Sequence, residues 1–541
     1  MGRWRMRKAV SLFTLVAAII AATWWWLGGA VPMPASPLEA GEKLYCVSYA
    51  PFRGQQTPLD LSTRIEPRQI EEDLVRLAQQ TECIRIYSVD FGLDQVPEIA
   101  GRHGLKVLLG LWVSSHADRT KYQIETGISL AKRFPAVIRG VIVGNEALLR
   151  GEVAPEALAN LIRAVKAQVT MPVSYADVWE FWLRYRELAG VVDFVTVHIL
   201  PYWEDHPIAA DRAADHVDSI RKQVAGAFSG KEVLIGEVGW PSAGRMRAGA
   251  LPSPANQARV LHDTLARGKR ENFRVNIIEA FDQPWKRYLE GTVGGHWGLL
   301  SDSPRTKKFD WGTAVSNHPH WRWQALGGIF FAGLVFGAAL VARRVRPGAP
   351  GLALNQWIAI TIISAVSGVL LGWTIENVPI ESLGVGGWLR SLTFAAVALI
   401  APPATAAAIT ANIAAPSFAN VIGPTEGRVR SGLQRALGWL LLVLCVLTIA
   451  TALPLAFDPR YRDFPFASLT CAAVPFLLAA SLMPRPSGAR PVAETAASVV
   501  LMAAAAAIVF NEGWTNWQAL WYCAALAALA FTLARVRHAL G

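Results

Sequence analysis

Ile138-Arg-Gly-Val-Ile-Val-Gly-Asn-Glu146 is short, apolar and β-branched, and it ends on a carboxylate. That composition reads as a buried strand whose last residue reaches a polar face. A second run, Val233 to Ile235, leads in the same way into Gly236-Glu237-Val-Gly-Trp-Pro. Two carboxylates delivered by two strand ends, 91 positions apart, are what a barrel with a chemical site at one mouth requires.

Working outward, similar runs occur at Leu44 to Tyr49, Cys83 to Tyr87, Leu105 to Leu111, Met171 to Tyr175, Val191 to Val197 and Val275 to Ile278, making eight candidate strands. Amphipathic stretches separate several of them: Pro67 to Gln80, Lys121 to Arg133, Pro155 to Gln168, Ala210 to Phe228 and Pro254 to Arg270. Proline opens three of these, as it does at the first position of a helix. Strand and helix alternating eight times predict an α/β fold of the (β/α)8 TIM-barrel type. A doubly wound open sheet would carry a glycine-rich phosphate turn after its first strand, and Ser48-Tyr-Ala-Pro-Phe52 is not one.

The rest of the 541-residue chain is of another kind. Residues 9–27 form an apolar run that ends at Trp24-Trp25-Trp26, which reads as a retained anchor with an interfacial aromatic belt rather than a cleaved leader. Seven further spans fit residues 326–342, 355–373, 388–414, 436–456, 466–483, 493–510 and 516–534. The tract Ala401 to Ala415, with Pro402-Pro403, reads as a kinked span. Three domains are therefore expected: an N-terminal basic tail and anchor (1–38), a barrel (39–324), and a C-terminal multi-span transmembrane α-helical bundle (325–541).

The net charge of +11 does not indicate nucleic acid, because residues 39–324 hold 35 Lys and Arg against 34 Asp and Glu. The excess lies beside the spans, at Arg3, Arg5, Arg7 and Lys8, then Arg343, Arg344 and Arg346, Arg428, Arg430 and Arg435, Arg485 and Arg490, and Arg535 and Arg537. The positive-inside rule makes these loops cytoplasmic. A multi-pass bacterial inner-membrane protein with both termini inside and the barrel in the periplasm follows. Cys46 and Cys83 lie on the first two strands, where an oxidising compartment permits a bond; the reading favours two buried free thiols. No CxxC or HExxH spacing suggests a metal.

Five motifs in this order resemble glycoside hydrolase family 17, the β-1,3-glucan-active barrels. They are Arg85-Ile-Tyr87, Val143-Gly-Asn-Glu146, Ile235-Gly-Glu-Val-Gly-Trp-Pro-Ser242, Glu279-Ala-Phe-Asp282 with Trp285-Lys286, and Gly295-His-Trp-Gly-Leu299. The resemblance implies Glu146 as general acid/base and Glu237 as nucleophile of a retaining mechanism, with the two carboxyls about 5 to 5.5 Å apart. It implies a raised pKa for Glu146, which must hold a proton at rest. Substrate contacts are expected from Asn145, on the sugar 2-hydroxyl, and from Arg85, Tyr87, Tyr202, Trp240, Glu279, Trp285 and Lys286. Among the aromatics, Tyr202 and Trp240 are the first choices for a sugar face, and Trp179 and Trp182 the last. Glu279 with Lys286 or Arg85 fits equally a charge network behind the carboxylates. His198 and His296 fit packing as well as substrate contact.

A covalent glycosyl-enzyme passes its sugar either to water or to another glucan. The spans tilt the expectation to transfer, because the chain resembles the membrane-bound bacterial branch of the family associated with periplasmic β-glucan synthesis. The expected partners are a β-glucan or gluco-oligosaccharide donor and acceptor, the lipid bilayer, and a glucan synthase or exporter. No cofactor is implied. The alternatives are an endo-β-1,3-glucanase, or a glucan-binding module of a transporter or synthase complex.

Overall fold

The computed structural model describes residues 2–345, 351–422, 432–484 and 488–537. They form two compact units, Val31–Val315 and a second made of Met1–Ala30 with Ser316–Gly541.

The first unit is a closed barrel of eight parallel strands in sequential order: β1 (Cys46–Ser48), β2 (Cys83–Ile86), β3 (Lys106–Leu111), β4 (Ile138–Asn145), β5 (Val173–Val178), β6 (Val195–His198), β7 (Val233–Val238) and β8 (Val275–Ile277). β8 pairs with β1 and closes the ring. The outer helices have the period the sequence carries. In Pro67–Leu77, Ile70, Leu74 and Leu77 recur on one buried face. Pro67, Pro155 and Pro254 all stand at helix starts, and Ser253 caps the last of these by accepting from the Asn256 amide at 3.1 Å.

Alternation along the strands sends every second side chain inward. One buried layer consists of Cys46, Cys83, Leu108, Ile142, Ala176 and Leu234. Two residues further along, Ser48, Arg85 and Gly236 share that face, and Ser48 and Arg85 begin a polar layer above the apolar one. Cys46 and Cys83 are joined by a disulfide, which overturns the expectation of two free thiols. The register explains it: Val47 pairs with Ile84 across β1 and β2, so the two preceding cysteines are neighbours.

In the second unit seven helices are long and apolar enough to cross a membrane, among the described residues: Arg7–Leu27, Trp321–Arg344, Leu354–Glu381, Gly384–Thr410, Gly432–Phe457, Val492–Glu512 and Trp517–Ala534. Phe466–Leu482 is apolar but shorter. The interior is built of Ala, Leu, Ile and Phe. Gly384–Thr410 runs unbroken through Pro402-Pro403. Pro402 has no N–H for the Ala398 carbonyl, and the Cys471 thiol approaches that oxygen at 3.7 Å instead. Of the arginines used to orient the spans, Arg346, Arg428, Arg430 and Arg485 lie outside the described residues.

Candidate active site

The polar layer is set at the C-terminal mouth of the barrel, where the strands end. β4 shifts register about Gly144 (φ +89°), and just past its end Glu146 takes a left-handed φ of +52°. A side chain other than glycine occupies that region at a cost, and needs surroundings that hold it there. Here the Glu146 amide donates to Ala176 O at 2.8 Å, and the following turn is tied to β5 by Leu148 N to the Tyr175 hydroxyl at 3.0 Å. Tyr175 in turn bonds Asp177. Arg150 clamps the same turn by donating to Asn145 O and, at 2.8 Å, to Val113 O, while its guanidinium lies 4.2 Å over the Trp112 ring.

Glu237 lies inside β7 rather than beyond its end, and is 5% exposed. Its Oε1 accepts from the Tyr87 hydroxyl at 2.9 Å and faces Arg85 Nη1 at 3.5 Å. Burial, and then the Glu237 charge, push the Tyr87 phenol well above its ordinary range, so it remains a donor. Arg85 is almost completely buried and organises the layer. Its Nη2 donates to Asn145 Oδ1 at 2.6 Å and its Nη1 to Gly236 O at 2.7 Å. Gly236 leaves the room this needs, since a Cβ there would stand 2.4 Å from Thr196 and 3.3 Å from Arg85 Nη1. Because Arg85 can only donate, it fixes the oxygen of the Asn145 amide and turns the NH2 the other way.

His198 ends β6 in register with Glu237. Its Nδ1 is 2.7 Å from Glu146 Oε1, and its Nε2 is 3.2 Å from Arg85 Nη1. Burial pushes the Glu146 carboxyl up, but the hydrogen bond and electrostatic attraction of His198, and then the charges of Arg150 and Arg85, bring it below the ordinary carboxylate range. The raised pKa expected for Glu146, from burial or from the neighbouring carboxylate, is therefore corrected: the barrel encloses Glu146 with donors.

One oxygen of Glu146, one oxygen of Glu237 and a ring nitrogen of His198 lie within 4.8 Å of one another. Three such atoms could surround a divalent cation, but Arg85 Nη1 already stands 3.2 and 3.5 Å from two of them and supplies positive charge there. The two carboxyl groups thus each bring an oxygen to within 4.8 Å of the other at the mouth of the barrel.

The other expected contacts divide. Glu279 is fully buried, bonded to Lys286 Nζ at 3.0 Å, and pushed up to about 7 by burial against the pull of Lys286. It stands behind the site instead of on its surface. Tyr202 and Trp240, the first choices for a sugar face, are corrected outright, for both are fully buried. Tyr202 donates to Arg245 O at 2.8 Å and Trp240 to Leu251 O at 3.0 Å, packed in a cluster with Trp297. Trp285 is half-buried, its indole donating to Gln283 Oε1 at 2.8 Å, and Trp112 and Trp203 are half-buried too. Sequence reading missed Ser48, Arg150 and Asp177. Ser48 accepts from Asn276 Nδ2 at 2.8 Å and lies 2.9 Å from the Tyr87 hydroxyl; burial pushes Asp177 up to about 6. Position at a strand end was the available signal for Ser48 and Asp177; nothing local marked Arg150.

Residues 46–298 match the family model of the BtgE/BtgC glycoside hydrolase domain. Among curated proteins, the chain is 27% identical over 301 residues to the Aspergillus fumigatus protein named a probable glucan endo-1,3-beta-glucosidase, btgC, covering 48% of this chain and 42% of that one. It is 26% identical over 264 residues to a glucan 1,3-beta-glucosidase of Candida albicans, covering 44% of this chain and 84% of that one. The chain spans 40% to 42% of the length of the first fungal relatives it matches. Among solved structures, a glycoside hydrolase family 17 beta-1,3-glucanosyltransferase from Rhizomucor miehei is 28% identical, covering 49% of this chain and 95% of that one, with a TM-score of 0.42.

Proposed function

We propose that this chain is a retaining β-1,3-glucan transglycosylase, with Glu237 as nucleophile and Glu146 as acid/base. The observation that carries the reading is the pair of carboxylate oxygens within 4.8 Å at the mouth of a barrel whose residues 46–298 match a glycoside hydrolase domain. Glu237 attacks the anomeric carbon while Glu146 gives a proton to the departing oxygen. A glucosyl ester on Glu237 results. Glu146 then takes the proton of an incoming hydroxyl as that oxygen bonds the anomeric carbon and Glu237 leaves as a carboxylate. Arg85 and Tyr87 orient Glu237, and the Asn145 amide is turned toward the sugar. Half-buried Trp112, Trp203 and Trp285 replace Tyr202 and Trp240 as candidates for a pyranose face.

The Cys46–Cys83 disulfide supports an oxidising compartment for the barrel, and the arginines flanking the apolar helices support a cytoplasmic position for both termini. In this reading residues 39–324 act in the periplasm of a bacterium and the helices hold them at the inner membrane, beside a synthase or exporter that delivers glucan. Retention at a membrane favours transfer over digestion, because it keeps the enzyme with a growing product. The curated relatives carry glucosidase names, so hydrolysis is the second reading. One experiment separates them: the purified full-length protein is incubated with laminari-oligosaccharides, and the products are analysed by mass spectrometry and NMR. Products longer than the donor are expected; only shorter ones would establish a hydrolase.

A further inference from the structure

We propose that His198 is the positioning residue of the acid/base carboxyl: held neutral with its proton on Nδ1, it occupies Oε1 of Glu146 and leaves Oε2 to carry the catalytic proton. The inference rests on the reading of Glu146 as acid/base, and deepens it.

The tautomer follows from Arg85. Its guanidinium has five donors and no acceptor, and it is held in place by Gly236 O and Asn145 Oδ1. Of the two groups facing His198 Nε2, the Arg85 Nη1 donor at 3.2 Å is nearer than Glu237 Oε1 at 3.5 Å, which assigns the lone pair to Nε2 and the ring proton to Nδ1. Nδ1 is 2.7 Å from Glu146 Oε1, and the His198 side chain is fully buried. An imidazolium would aim a second N–H at the guanidinium. The charged and titratable groups facing the ring are Glu146 from β4, Arg85 from β2 and Glu237 Oε1 from β7 at 3.5 Å, with Asp177 of β5 and Arg150 further off. Asp177 is occupied by Tyr175 and by the Val178 and Leu149 amides.

A donor fixed on Oε1 has two consequences. The proton that reaches the leaving oxygen sits on Oε2, and returns to Oε2 from the incoming hydroxyl, while His198 keeps its own proton throughout. The bond also favours ionised Glu146, which is the base needed for the second step. The first step needs Oε2 protonated, so kcat/KM falls as pH rises through the Glu146 pKa. Removing the donor raises that pKa and moves the fall to higher pH.

The test measures kcat/KM against pH for His198→Leu, His198→Asn and the unsubstituted full-length protein. It uses a laminari-oligosaccharide and an aryl β-laminaribioside whose phenol departs without a proton. In His198→Leu the alkaline fall on the oligosaccharide should move up by about one pH unit. In His198→Asn, which retains an N–H donor, it should stay in place, and the aryl substrate should lack this fall in all three proteins. If His198→Leu does not fold, 15N NMR of histidine-labelled protein, with His198→Asn identifying the signal, gives the ring state directly. A neutral Nδ1–H ring between about pH 6 and 8 supports the proposal. An unmoved fall in active His198→Leu, an imidazolium or an Nε2–H ring overturns it. Glu146→Gln separates the two failures: full activity there removes the acid/base reading, whereas an inactive Glu146→Gln beside an unmoved fall overturns the role of His198 alone.

Discussion

The barrel unit buries Asp73, Arg85, Glu237, Glu279, Asp282 and Arg305 to below a tenth of their surface, whereas Glu494 is the single charged side chain so buried among the described residues of the helical unit. The barrel can do this because each burial brings partners. Asp73 meets Arg53 at 2.6 Å and Arg305 at 2.9 Å, and Asp282 meets Lys308 at 2.6 Å. Charges removed from water without such partners would cost several kcal/mol each. In the helical unit the backbone satisfies itself along each helix and the interior is left to Ala, Leu and Phe, as suits a bilayer. The contrast teaches that one region buries charge in fixed pairs and the other keeps charge out of its interior.

The strongest challenge to that division is Glu237→Gln. It keeps the shape of the side chain and its bond from Tyr87 while removing the proposed nucleophile, so kcat should fall by at least about 10³-fold with the fold retained by circular dichroism. Near-normal turnover would mean that the buried charges of the barrel serve structure alone.

A smaller effect concerns what holds the barrel. Replacing both Cys46 and Cys83 by serine should lower unfolding stability by about 2 to 4 kcal/mol, read from a denaturant titration of the isolated barrel unit, while activity at low temperature persists. An unchanged midpoint would show that strand pairing alone secures β1 to β2.

The smallest effect is expected from removing the helices. Residues 31–315, which form one compact unit, should retain kcat/KM within about threefold on soluble laminari-oligosaccharides, and should no longer sediment with membranes. Loss of activity from a folded barrel would give the helical unit a part in the chemistry and end the division drawn above.

Local pattern made much of this readable in advance. The alternation of β-branched runs with amphipathic stretches predicts eight strands, and the observed boundaries differ by a few residues because pairing, not composition, ends a strand. Glu146 and Glu237 were legible because each follows such a run. Tyr202 and Trp240 were misread because an aromatic residue after a strand has the same sequence signature whether its ring faces a cleft or another ring. Cys46 and Cys83 were misread because register, which makes them neighbours, is a relation between strands.

By itself, then, the sequence determined the periods: where strands, helices and apolar spans lie, and which strand ends carry carboxylates. Tertiary structure alone decided that His198 meets Glu146, that Arg85 braces Asn145 and Gly236, and that two cysteines bond. Those contacts join residues 37 to 151 positions apart, and closure of the barrel in one register is what brings them within bonding distance.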